Sequence, residues 1–166
     1  MANRYSELKK LPLQVAAVCY RANGSGIEFL LVNTNGGKWT FPKGCTISGM
    51  SHSQAAAQEA LEEAGAFGSI EPAPFDIYVH AKGVFWKKPG IREFAVKAFL
   101  LEVEQRKAPR EFLRNPTWFS CSDARRVLAQ GREIKYRNEL SRVIDTALVN
   151  IRQRRSALPR RMIISQ

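Results

Sequence analysis

The sequence predicts a mixed α/β fold of α+β type, a mixed sheet sandwiched between helices. Three observations carry this. Apolar stretches of strand length, rich in Val, Leu and Ala, alternate with segments of helical period. Turn residues punctuate them at short intervals. The chain of 166 residues suits one domain with a core of its own.

Residues 13–20 are largely apolar, as expected of a buried strand. "RANGSG" (21–26) reads as a turn, and 27–32 as the returning strand of a hairpin. "NTNGG" (33–37) is a loop. "KWTFPKG" (38–44) is extended, and Pro42, lacking an N–H, places it at a sheet edge or at the start of a loop. Residues 51–64 form a helix: Ser51 and Gln54 fit a capping box, and Gly65 fits the stop.

Residues 75–81 and 92–103 read as strands around a loop at "KKPG" (87–90), and 104–116 is a polar excursion. Trp118 and Phe119 return to the sheet. Residues 122–130 form a short helix capped by Ser122 or Asp123. Residues 138–154 form a longer one, with Leu140, Val143, Ile144, Ala147, Leu148 and Ile151 as its core stripe. The expected organisation is an N-terminal segment (1–12), one domain (13–155) and a basic tail (156–166).

Composition limits function. The formal charge of +11 suits an anionic partner: a diphosphate-containing small molecule, a nucleotide, or RNA bound non-specifically. No apolar run approaches the ~20 residues of a membrane span. Cys19, Cys45 and Cys121 are odd in number and far apart, which fits a reducing cytoplasm rather than a disulfide framework.

Against this basic background Glu59, Glu62 and Glu63 share one helix face, with Ala57, Ala60, Leu61 and Ala64 on the other. Like charges one turn apart repel, and the last turns of a helix disfavour anions. A hard divalent cation would compensate, since Mg²⁺ takes one or two carboxylates plus substrate phosphates. Glu59 and Glu63, one turn apart, can grip one ion. A solvated acidic face paired with Lys or Arg is the plainer alternative.

The full stretch from Gly44 to Ala66 resembles the Nudix signature: Gly, five residues, Glu, seven residues, Arg-Glu-aliphatic-any-Glu-Glu-any-Gly-aliphatic. The spacing is kept, with two departures. Met50 stands where the first Glu belongs, and Gln58 where Arg belongs. "QVAAVCYR", "FLLVNT", "GKWTFPKG" and "PTWFSCSDARRVL" are similar to the diphosphoinositol polyphosphate and diadenosine polyphosphate branch.

The resemblance implies a Nudix fold and a Mg²⁺- or Mn²⁺-dependent hydrolase that cleaves a diphosphate linkage in a nucleotide-type or diphosphoinositol-type substrate. It implies Glu59 and Glu63 as metal ligands. Glu62 becomes a ligand or the water-activating base, Glu63 shares the catalytic role, and Gly44 lends a backbone carbonyl. The place of "LPLQ" before the first strand leans away from a heavily phosphorylated inositol ring.

Lys43, beside Gly44, is the foremost phosphate-binding candidate, with Lys38, Lys82, Lys87, Lys88 and Arg92. Glu93 or Glu111 supplies an additional carboxylate. His52 and His80 are read as capping or surface residues, and Trp39 as packing beneath the loop. Two other functions are open: a Nudix-like binding module without turnover, from Met50 and Gln58, and an RNA-binding or RNA-end-processing protein, from the charge. A homodimer is a further expectation, and the tail after Arg155 is expected to be dispensable for the chemistry.

Overall fold

The computed structural model describes residues 3–83 and 91–157. Strand β1 (Leu13–Asn23) and strand β2 (Gly26–Asn33) form the expected hairpin. Their ladder continues through Arg21↔Glu28 and Ala22↔Ile27 to Asn23↔Gly26, so the turn is tighter than 21–26. Asn23 Oδ1 closes it by accepting from the Ser25 N–H (3.1 Å) and hydroxyl (2.8 Å).

Pro42 splits the following segment into β3 (Trp39–Thr40), against β2, and β4 (Lys43–Cys45), against β1. The Pro42 carbonyl still accepts from the Ala17 N–H at 2.9 Å, so the junction stays anchored to the sheet without a proline donor.

Helix α2 (His52–Ala64) begins at Ser51, whose hydroxyl accepts from the Gln54 N–H (3.2 Å) while Gln54 Oε1 accepts from the Ser51 N–H (3.0 Å). Gly65 ends it in the left-handed conformation, φ 63°. The chain then adds β5 (Ala66–Ile70), β6 (Asp76–Gly83) and β7 (Ile91–Arg106). After a 3-10 turn (Phe112–Arg114) come β8 (Thr117–Ser120), α3 (Cys121–Ala129) and α4 (Ile134–Ala157). A short helix, α1 (Arg4–Leu8), precedes β1.

The sheet is mixed. β1 runs antiparallel to β2 and β4 and parallel to β7, which pairs antiparallel with β5 and β6. β1 has no polar face because both faces are covered. Ala16, Val18 and Tyr20 pack with Phe29, Leu31, Val96 and the stripe of α4. Val15, Ala17 and Cys19 pack with Ala55, Ala56, Ala60 and Ala64 of α2. The alanines bring α2 close to the sheet. The expected mixed sheet between helices is the fold observed.

Several boundaries differ. The α3 cap is Ser120, whose hydroxyl accepts from the Asp123 N–H at 3.2 Å, not Ser122 or Asp123. α4 takes in residues 134–137, where Tyr136 joins the core stripe, and continues through 155–157. Residues 156 and 157 of the expected tail are therefore helical, and 158–166 lie outside the described residues. So do Lys87, Lys88 and the "KKPG" loop. Among the described residues no helix is long and apolar enough to cross a membrane.

Candidate active site

The site lies where α2, β4 and the segment 107–115 meet. Glu59 stands directly over Gly44: a Cβ added there would meet Glu59 Oε1 at 2.2 Å and Cδ at 2.4 Å. The bare glycine is thus what leaves room for the Glu59 side chain in this position. One turn on, Glu63 is only 3% exposed. The sequence had placed it on the outer face of α2, but β4 and the 107–115 segment cover that end of the helix. Glu63 Oε2 accepts from the Lys43 N–H at 3.4 Å, and Oε1 faces Arg114 Nη2 at 3.6 Å.

Burial pushes the Glu63 carboxyl up to about 8 against the pull of Arg114, with Glu59 and Glu111 adding to the rise. Burial also raises Glu59 above the ordinary carboxylate range, and the charges of Glu62 and Glu111 raise it further. Two carboxylates held this way are under-compensated, as a cation site should be. Glu62 turns elsewhere: its Oε1 accepts from Gln58 Nε2 at 2.8 Å. Among the described residues no three His, Cys, Asp or Glu side chains are gathered closely enough to hold a metal ion together. The donor set that fits Mg²⁺ is the pair Glu59 and Glu63, with the remaining positions left to water and substrate oxygens.

A cluster of cations adjoins this pair. Burial lowers Lys43 to about 8; Glu63 opposes the shift, while Lys82, Arg114 and Arg132 reinforce it. Burial likewise lowers His80 to about 3, helped by Lys43, Arg132, Lys38 and Lys82, so this half-buried imidazole is a neutral group beside the cations. Lys38 lies along Gly131, at 3.4 Å from the position a Cβ would take there. Among the described residues Lys38, Lys43 and Lys82 have no carboxylate partner. The buried Tyr78 hydroxyl and Gln14 Oε1 likewise have no hydrogen-bond partner among the described residues. These two residues flank Val96 in one row of the sheet.

The remaining candidates divide. Arg92 pairs with Lys82 across the β6–β7 ladder, its guanidinium 5.2 Å over the Phe94 ring. Glu93 is engaged by Lys135 (2.8 Å) and the Tyr136 hydroxyl (2.9 Å). Glu111 does come to the site: its N–H donates to the Glu62 carbonyl at 3.2 Å and its carboxylate accepts from Arg114. His52 Nδ1 meets Lys97 Nζ at 3.2 Å, and Trp39 packs edge-on against Phe119 at 4.8 Å. Arg114, Arg132 and Tyr78 escaped the sequence reading. No spacing rule links them to Glu63, and only the fold brings them there.

Fold and site together define a mixed sheet clamped between helices, with one buried and one half-buried carboxylate at one end beside a cluster of cations. The NUDIX domain pattern matches residues 10–139, and the chain belongs to that family. The expected Nudix-type hydrolase is borne out at this level.

Solved structures agree on the fold. An Ap4A hydrolase binary complex from C. elegans is 20% identical, with a TM-score of 0.60 over 86% of this chain and 99% of that one. The NUDIX domain of Shewanella oneidensis NrtR, complexed with ADP ribose, is 15% identical, with a TM-score of 0.59 over 90% and 94%. A NUDIX hydrolase from Nitrosomonas europaea is 21% identical, with a TM-score of 0.57 over 85% and 90%. No curated protein matches the chain.

Proposed function

We propose that the protein is a Mg²⁺- or Mn²⁺-dependent pyrophosphohydrolase that cleaves a diphosphate linkage in an anionic, nucleotide-type small molecule. The observation that carries this reading is the pair formed by Glu59, half-buried over Gly44, and Glu63, buried one turn on, beside lysines that have no carboxylate partner among the described residues. Ap4A and ADP ribose, named with two of the similar structures, both contain such a linkage.

In this reading Glu59 and Glu63 hold the ion, with the Gly44 carbonyl at the same edge. The bound ion supplies Lewis-acid stabilisation of charge on the phosphoryl oxygens. Lys43 holds a phosphate: its ammonium is desolvated, and its N–H is already fixed to Glu63. Lys38, Lys82 and Arg92 extend the anion-binding surface, and Arg132 and His80 line it. Glu62 and Glu111 are the carboxylates left to take a proton from the attacking water. The free Cys19, Cys45 and Cys121 suit a cytoplasmic setting.

A second reading is favoured by the Gln58–Glu62 hydrogen bond, which occupies one signature carboxylate. It makes the protein a binding module without turnover. A panel of Ap4A, ADP ribose, a diphosphoinositol polyphosphate and 5′-triphosphate RNA, each with Mg²⁺, separates the readings. Hydrolysis of a small diphosphate by the wild type, lost in Glu63→Gln, is expected. Binding of the panel without any hydrolysis would establish the module instead, and cleavage confined to the RNA would redirect the assignment to RNA ends.

A further inference from the structure

We infer that Arg114 is a positioning residue that holds Glu63 in place until a divalent cation displaces it. The inference rests on the metal reading of Glu59 and Glu63 above. The signature position that would carry an arginine on α2 holds Gln58, and its amide serves Glu62, not Glu63. Glu63 is nevertheless almost fully buried, and a buried carboxylate without a countercharge is costly. The countercharge comes from far along the chain. Arg114 Nη2 stands 3.6 Å from Glu63 Oε1.

The guanidinium is placed by groups other than Glu63. Its Nη1 donates to the Asn33 carbonyl at 3.3 Å, at the end of β2, and its Nε donates to Glu111. The segment carrying it is tied to α2 at two backbone points: the Lys107 N–H to the Gly65 carbonyl (2.8 Å) and the Glu111 N–H to the Glu62 carbonyl (3.2 Å). Asn115 turns the chain just after it with φ 45°, a conformation asparagine tolerates. Arg114 therefore faces Glu63 as part of a strap across the last turn of α2.

Both oxygens of Glu63 are then engaged, Oε2 by the Lys43 N–H and Oε1 by the guanidinium. An ion gripped by Glu59 and Glu63 needs Oε1 and repels a guanidinium beside it. The 3.6 Å separation is an ion pair without a close hydrogen bond, which yields more easily than a bidentate one. Packing opposes the release little. Phe112 and Leu113, the apolar residues of the strap, are 89% and 90% exposed. The strap is held by charge and a few hydrogen bonds rather than by the core.

Calorimetric titration with Mn²⁺ and metal-free thermal melts test this on the full chain, comparing wild type, Arg114→Gln, Arg114→Lys and Glu63→Gln. Arg114→Gln should melt lower than wild type without metal, and should bind Mn²⁺ about tenfold tighter because a neighbouring positive charge is gone. Arg114→Lys, a point charge that cannot reach all three acceptors, should fall between. Glu63→Gln should not bind. Unchanged or weaker Mn²⁺ binding by folded Arg114→Gln overturns the inference. So does a wild-type affinity in Arg114→Lys, which decides the matter if the glutamine variant does not fold. A wild type silent towards millimolar Mn²⁺ overturns the metal reading itself, and this inference with it.

Discussion

Glu59 occupies the space that a side chain at Gly44 would need, with Oε1 2.2 Å from an ideal Cβ. The signature glycine and the signature glutamate are therefore one device: the bare backbone of β4 is what lets the carboxylate lie flat against it.

Gly44→Ala follows from this. Gly44 is not among the glycines with positive φ, so alanine meets no backbone strain there. The obstacle is the far end of a flexible side chain, which can swing aside. The fold should survive with a stability change within about 1 kcal/mol. Glu59 would be displaced, and misplacing a catalytic group by an ångström costs about 10²-fold. Unfolding curves and steady-state kinetics on the same variant check both halves.

Met50 and Gln58 line one groove with Gln54, Ala57, Leu61, Phe67, Gly68 and Leu101, between α2 and strands β5 and β7. Restoring the pair as Met50→Glu with Gln58→Arg should recover stability beyond the sum of the single changes. Met50 is 42% exposed, so Met50→Glu alone should cost little and do little for activity. A double-mutant cycle by denaturant unfolding measures the coupling. A value within about 0.5 kcal/mol of zero would make the two departures independent.

Glu139 is the fold's main polar junction between α1, α4 and β6. It accepts from Arg4 (2.9 Å to each oxygen), from Arg142 (2.9 and 3.2 Å) and from the Val79 N–H (2.8 Å). Burial alone would raise its carboxyl, but the Arg142, Arg4 and Val79 donors outweigh it and hold the group below the usual range. A carboxyl depressed in the folded state contributes stability above its unfolded value of about 4.3, and loses it as pH falls through the folded value. Glu139→Gln should therefore cost about 2 kcal/mol at neutral pH. The gap to wild type should narrow as pH drops below about 4. Melts across a pH series report it.

The legible part of the fold is the part written in local signals. The capping box at Ser51 and the stop at Gly65 delimit α2 from sequence, and the run from Leu13 to Tyr20 announces a buried strand. What escaped is held by distant partners. "RYSEL" has no stripe to mark it, and α1 is fixed through Arg4 to Glu139. "AFGSI" carries a glycine and alternates poorly, yet it is strand β5 because β7 is long enough to offer it a ladder. At the site, the nearness of Glu59 to Glu63 on α2 was readable from their spacing. The burial of Glu63 was not, since it depends on the 107–115 segment returning over α2.

The parallel pairing of β1 with β7, from Leu13↔Ala95 to Tyr20↔Glu102, has a kinetic consequence. A parallel ladder needs a long crossover, and its loop must close before any of its bonds can form. Helix α2 lies inside that crossover and carries its own caps, so it can form from nearby residues alone. Arg114 lies beyond β7. On a chain emerging from the ribosome the carboxylates of α2 are thus present before the guanidinium that faces them has been synthesised. The acidic helix forms first and waits for its countercharge.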